Sequence, residues 1–249
     1  MNKLPNFYSG LSGLVLPVPK YMFPEEHQNS SRLTYYATFF NSIEINSTFY
    51  KLPMQKTVDK WASSVPEDFK FTFKLWQEIT HKKGLEFQQS DVELFFKAIS
   101  GVAHKKGCVL IQFPPSLGSA HIHSLDALLR CVAQTNTNHE WKIAVEFRNR
   151  SWYQAETYDL LESYNAAIVI QDIPKSITPH IDHLSDFIYV RFHGPTGNYK
   201  DSYAEYFLEE YSTYLQEWLS EGKTVYTYFN NTAGDAFNNL QSLNKFIIR

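Results

Sequence analysis

Lys142-Ile143-Ala144-Val145-Glu146-Phe147-Arg148 and Phe187-Ile188-Tyr189-Val190-Arg191-Phe192-His193 decide the fold. Both runs are short and largely apolar, and both turn polar or charged towards the C-terminal end, where an ordinary core strand gives way to a loop. Six more runs share the property: Phe7–Leu11, Ser42–Asn46, Phe71–Leu75, Cys108–Gln112, Ala167–Asp172 and Thr224–Phe229. At or just past their ends stand Ser12, Glu44 with Asn46, Lys74, Gln112, Asp172, and Asn230 with Asn231. Short apolar runs separated by amphipathic helices describe a parallel sheet covered by helices. The expected fold class is α/β, a TIM-type (β/α)8 barrel, which gathers all these ends around one mouth.

The intervening segments fit that alternation. Ser31–Phe40 and Met54–Ser64 read as the first two helices. Asp91 is placed to cap Val92–Val102, whose Leu94, Phe95, Ile99 and Val102 form a helical stripe. Ser124–Ala133 and Tyr153–Tyr164 follow. Ile173–Asp186 contains Pro174 and Pro179 and is too short for a normal crossover helix, so a short or irregular element is expected there. In the helix Tyr203–Leu219, the spacing of Tyr203, Phe207, Tyr211, Tyr214 and Trp218 predicts core packing first and a binding surface second.

The 249 residues match the roughly 250 of such a barrel. No linker or change of composition divides them, so residues 1–249 are expected to form a single TIM-barrel-like domain. A net charge of −3 argues against a general nucleic-acid coat, though not against a local basic patch. Cys108 and Cys131 look like structural thiols of a reducing compartment. Without a signal-peptide core or an apolar run of membrane length, the protein is expected to be cytoplasmic, with no membrane partner. Aromatic residues reach 16%, enough to fill strand–helix interfaces and to leave some for stacking on a ligand.

Strand side chains alternate faces, so Glu44 and Asn46 point the same way, as do Glu146 and Arg148, and Arg191 and His193. Polar pairs on separate strands would cost burial energy if they were accidental. They can neutralise one another as a buried ion network. At a barrel mouth the same groups form a polar pocket with perturbed pKa values. Glu146 is the first choice for general base or metal ligand, with Asp172 and Glu44 as further carboxylates. His193 suits proton transfer or metal ligation, and Lys74 a positive charge or a nucleophilic amine. Glu44, Glu146, Asp172 and His193 would be a hard donor set for a divalent metal such as Mg, Mn or Zn. Ligand contacts are expected from Asn46, His81, Gln112, Arg148, Arg191, Tyr199, Asn230 and Asn231. The loops Thr80–Gly84, Gly194–Tyr199 and Asn230–Gly234 lean towards an anion, the last through amides at a helix N-terminus. His27, His104, His121, His123, His139, His180 and His183 are read as surface or structural residues.

Several of these segments also carry a resemblance. They are Ile43-Glu44-Ile45-Asn46-Ser47-Thr48-Phe49-Tyr50 with Leu52-Pro53 and Trp61, then Phe71-Thr72-Phe73-Lys74 with Ile79-Thr80-His81. Gln112-Phe113-Pro114-Pro115 and Ala144-Val145-Glu146-Phe147-Arg148 with Ser151-Trp152 come next, then Tyr189 to Gly194 and Tyr226 to Asn231. In this order, from about residue 7 to 245, the chain resembles the domain of unknown function 72 family, also called YecE-like. The resemblance implies a TIM barrel and no settled reaction; likeness to endonuclease-IV-like metal-dependent nucleases is an analogy of fold. Members usually carry Gly-x-Ser-Gly-Trp after the first strand, whereas Gly10-Leu11-Ser12-Gly13 is followed here by Leu14.

The leading expectation is an enzyme acting on a small-molecule, phosphate-bearing or otherwise anionic substrate, by metal-assisted phosphoester hydrolysis. Glycoside hydrolysis by Glu44 and Glu146 is one alternative. A non-catalytic ligand-binding or nucleic-acid-binding barrel is another.

Overall fold

The structure, a computed structural model, describes residues 4–180 and 185–248, so His183 lies outside the described residues. Its strands are β1 (Phe7–Leu11), β2 (Ser42–Ile45), β3 (Lys70–Lys74), β4 (Lys106–Gln112), β5 (Lys142–Glu146), β6 (Ala166–Gln171), β7 (Phe187–Phe192) and β8 (Thr224–Phe229). Its α-helices are α1 (Arg32–Tyr36), α2 (Gln55–Ser63), α3 (Gln77–Thr80), α4 (Gln89–Ile99), α5 (Ile122–Thr135), α6 (Ala155–Ser163), α7 (Glu205–Ser220) and α8 (Ala236–Ile247). Neighbouring strands pair in parallel in the order β1-β8-β7-β6-β5-β4-β3-β2, which is the (β/α)8 barrel the strand pattern predicts.

Local chemistry moves several boundaries. The Ser31 hydroxyl accepts from the Thr34 amide and starts α1, which stops at Tyr36 rather than Phe40. α4 begins at Gln89, so Asp91 is not its cap but sits in the first turn, near the positive end of the helix dipole. α7 begins at Glu205, which leaves Tyr203 outside the helix and free to turn inward. Among the described residues no helix connects β6 to β7. The Gln171 side chain accepts from the Ile173 amide, and the Gln171 carbonyl accepts from Thr178, folding a tight turn instead.

Two apolar layers form the core. The larger packs helices on the outer face of the sheet. The smaller fills the barrel with Cys108, Leu110, Ala144, Ala167, Val169, Phe187, Tyr189, Tyr226 and Tyr228, against Tyr8. Rings take the place of the branched aliphatic side chains usual inside such barrels, and each burial contributes about 1.5–3 kcal/mol. The phenols then need partners: Tyr228 bonds Ser42 Oγ at 2.6 Å and Thr72 Oγ1 at 2.8 Å.

The seam between β1 and β2 closes differently from the rest. One bridge, Ser12 to Glu44, joins the two strands. Elsewhere side chains replace the ladder. The Asn41 amide accepts from Ser9 N and donates to Phe7 O, both at 2.8 Å. The Tyr36 hydroxyl accepts from Leu11 N at 2.7 Å and donates to Ser42 O at 3.0 Å. Gly10 is required here because a Cβ would collide with the Ser42 carbonyl.

Candidate functional site

The inward register is set by the rings of the interior. Tyr8 is paired with Tyr226 and stacks on it, and Gly10 is paired with Tyr228. Two-residue steps along each strand then bring Ser12, Glu44, Lys74, Gln112, Glu146 and Arg191 to the C-terminal end of the same interior face.

The floor of the mouth is an ion cluster built around Arg191. Its Nη2 donates to Glu44 Oε1 at 2.8 Å and its Nη1 to Glu146 Oε2 at 2.5 Å. Tyr189 donates to the other Glu44 oxygen at 2.5 Å, and Arg148 Nε donates to the other Glu146 oxygen. Glu44, Glu146 and His193 are fully buried and Arg191 is 1% exposed. Burial alone would raise the Glu146 carboxyl, but Arg148 and Arg191 outweigh it and hold the group well below the usual carboxylate range. Both carboxylates therefore serve as anchors for guanidinium groups.

His193 is locked by what surrounds it. Arg148 Nη2 lies 3.1 Å and Arg191 Nη1 3.3 Å from His193 Nε2. Guanidinium nitrogens are obligate donors, so Nε2 must accept, and the proton sits on Nδ1, 3.2 Å from Asp172 Oδ1. The ring is neutral. Burial lowers its pKa, with Glu146 and Asp172 opposing in part. The second Asp172 oxygen accepts from Tyr203, and Gly194 N donates to that phenol at 2.6 Å.

The rim is reachable from solvent. Asp172 keeps 23% of its side chain exposed and Arg148 11%. Arg148 Nη1 also donates to Tyr199 at 3.0 Å, and Tyr199 is itself 40% exposed. Lys74 Nζ donates to Gln112 Oε1 at 2.8 Å and lies 4.2 Å from the centre of the Phe49 ring. No salt bridge joins it to a carboxylate among the described residues. Burial, with Arg191 nearby, pulls the ammonium down to about 8. His81 packs edge-on against Phe49, its ring centre 4.8 Å away, and partial burial with Lys74 and Arg148 takes it down to about 4. The cluster thus has a sealed floor and an open rim.

Other expected contacts fall elsewhere. Asn231 is buried, with its Nδ2 held by Asp201 O and Asn239 Oδ1 at 3.0 Å each, so it braces the loop before α7. The amides of Ala233, Gly234 and Asp235 are bonded to the carbonyls of Tyr199, Asn231 and Asp201. They do not form the open anion nest expected after β8. Lys82 pairs with Glu78 at 2.6 Å on the surface. Asn46 stands just past β2 and Asn230 just past β8, both half-buried. No group of three or more His, Cys, Asp or Glu side chains among the described residues is placed to hold a metal ion. The donor chemistry agrees: each oxygen of Glu44 and Glu146 accepts from Arg148, Tyr189 or Arg191, and His193 Nε2 faces two cations. Arg191 also bridges the two glutamates, which leaves no open cleft between them for a glycosidic oxygen. Sequence reading missed Tyr189, Tyr203 and Phe49. Tyr189 had a signal, since it lies two residues before Arg191 in the inward register; Tyr203 was hidden in an apparent helical stripe.

The family model described as "Protein of unknown function DUF72" matches residues 10–247. The chain belongs to the DUF72 family. Among relatives of this DUF72 protein, UPF0759 protein YunF of Bacillus subtilis is 28% identical over 249 aligned positions, covering 88% of this chain and 87% of YunF. UPF0759 protein YecE of Escherichia coli is 33% identical over 97 positions, or 37% of this chain and 36% of YecE. A crystal structure of a DUF72 family protein from Enterococcus faecalis superposes with a TM-score of 0.80 at 21% identity, covering 98% of this chain and 96% of that one. That likeness is one of fold.

Proposed function

We propose that the C-terminal mouth of this barrel binds a phosphate-bearing ligand and acts on it as a phosphoester hydrolase. The observation that carries the reading is the Lys74 ammonium. It is held at the rim by a neutral amide and an aromatic ring, while the floor carboxylates are engaged by Arg148 and Arg191. A half-buried cation with no carboxylate in salt-bridge contact is poised for an anion, whose arrival offsets its desolvation. Arg148 extends the positive rim, and the Tyr199 hydroxyl adds a neutral donor beside it. Cations fixed in a partly dry site stabilise charge on phosphoryl oxygens more than water does. Asp172, the carboxylate at the rim, is the group placed to orient an attacking water. Since the floor donors do not fit a divalent metal, no step here is assigned to one.

The test is calorimetric titration of the full chain with inorganic phosphate and with phosphate monoesters, followed by a phosphoesterase panel. Lys74→Met should weaken phosphate binding about tenfold, and Asp172→Asn should lower turnover with little change in binding. Wild-type protein that takes up no phosphate compound at millimolar concentration would overturn the reading.

A further inference from the structure

Charge is unevenly distributed around the mouth. Lys74, Glu146 with Arg148, Asp172, and Arg191 with His193 come from the β3, β5, β6 and β7 sides. On the remaining arc, β8–β1–β2, Glu44 lies on the floor, engaged by Tyr189 and Arg191, and the residues just past the strand ends, Asn230, Ser12 and Asn46, are neutral. Their register is continuous: Leu11 pairs with Phe229, which sets Ser12 beside Asn230, and Ser12 bridges to Glu44, two residues before Asn46. Ser12 is 6% exposed, yet its Oγ has no hydrogen-bond partner in the described structure. Asn46 Oδ1 is likewise buried and unpartnered. Buried polar atoms nearly always have partners, so two orphans just past the ends of neighbouring strands are informative. A Cβ added at the next residue, Gly13, would meet no atom within 4 Å, so the chain just past Ser12 borders open space.

We infer that this neutral part of the rim receives hydroxyl groups, and hence that the ligand is a phosphorylated polyol or sugar lying across the mouth. The assignment rests on the phosphate reading above and adds the other half of the ligand to it. Asn46 Oδ1 can only accept, so the ligand must donate; Ser12 Oγ does either. A hydroxyl satisfies both, whereas an alkyl chain would leave both groups unpaired. β2 is the neighbour of β3 and β1 follows it around the ring, so a ligand with its phosphate at Lys74 and Arg148 meets Asn46 on the strand beside Lys74 and Ser12 on the one after it.

The experiment is titration calorimetry on the full chain with three probes: inorganic phosphate, butyl phosphate and ribose 5-phosphate. Ribose 5-phosphate should bind about tenfold tighter than butyl phosphate, the difference expected from one or two hydrogen bonds. Asn46→Ala, and independently Ser12→Ala, should collapse that ratio towards one, whereas Lys74→Met should weaken both esters together. The pair of variants covers the case in which one does not fold, as judged by circular dichroism. Equal binding of the two esters by wild type, or a ratio unchanged in both variants, would overturn the inference and leave the phosphate site standing. Failure of all three probes to bind would remove the phosphate reading and the inference with it.

Discussion

Arg191 shows how one side chain organises this site. It is buried with two carboxylates, a phenol on one of them, and a neutral imidazole. Such a cluster is not an efficient source of stability, but removing one member leaves a charge unpaired in a dry place. Glu44→Gln should therefore destabilise the fold by about 3 kcal/mol in urea unfolding, as the loss of one partner of a buried pair does. His193 gives a second test at this scale. Its folded pKa lies below 6.5 while the unfolded ring titrates near that value, so the unfolded state binds more protons there and stability falls as pH drops below 6.5. Nitrogen NMR at about pH 7.5, a unit above the ordinary imidazole value, should find His193 neutral and protonated at Nδ1; an imidazolium signal, or a proton on Nε2, would contradict the network. Lys74 carries the opposite charge logic. Its ammonium is lost as pH rises through about 8, so phosphate affinity should fall across that value, and the fall should be absent in Lys74→Met.

At the level of elements, the barrel is weakest where β1 meets β2 and strengthened there by side chains. Tyr36 answers backbone groups on both strands from the short helix α1. Tyr36→Phe keeps the ring and removes the hydroxyl, leaving the Leu11 amide unpaired in a buried seam. The expected cost is about 1–3 kcal/mol, with faster hydrogen exchange at Leu11 than at strand amides far from the seam. The loop from β7 to α7 is a second determinant. Gly194 has φ 96°, and a Cβ there would run into the Lys200 carbonyl; Tyr199 itself sits at φ 67°. Gly194→Ala should displace Tyr199 from Arg148 and weaken phosphate binding, with the melting temperature reporting any wider loss of structure.

For the whole molecule, a single sheet with helices packed around it predicts cooperative behaviour. Near-ultraviolet circular dichroism and labelling of Cys108, a fully buried thiol whose pKa burial raises, should report the same unfolding transition. Separate transitions would divide the chain into more than one domain. Among the described residues no helix is long and apolar enough to cross a membrane.

Much of this was legible in the amino-acid order, because strand geometry is local. Alternation at two residues places Glu44, Lys74, Glu146 and Arg191 on one face, and apolar runs between helices specify a parallel barrel. The ionisable ends marked the mouth for the same reason. What the order of residues could not convey was partnership. Nothing in the spacing says that Glu44 and Glu146 share one guanidinium, that His193 has its Nε2 between two arginines, or that the loop after β8 has its amides bonded to Tyr199 and Asp201. Those facts depend on distances between segments that lie far apart in the chain, 45 residues for Arg148 and His193 and 147 for Arg191 and Glu44, and hydrogen bonds form only when such distances close to about 3 Å. The chain by itself determined which groups reach the mouth; the tertiary structure decided which of them neutralise one another and which remain free to meet a ligand.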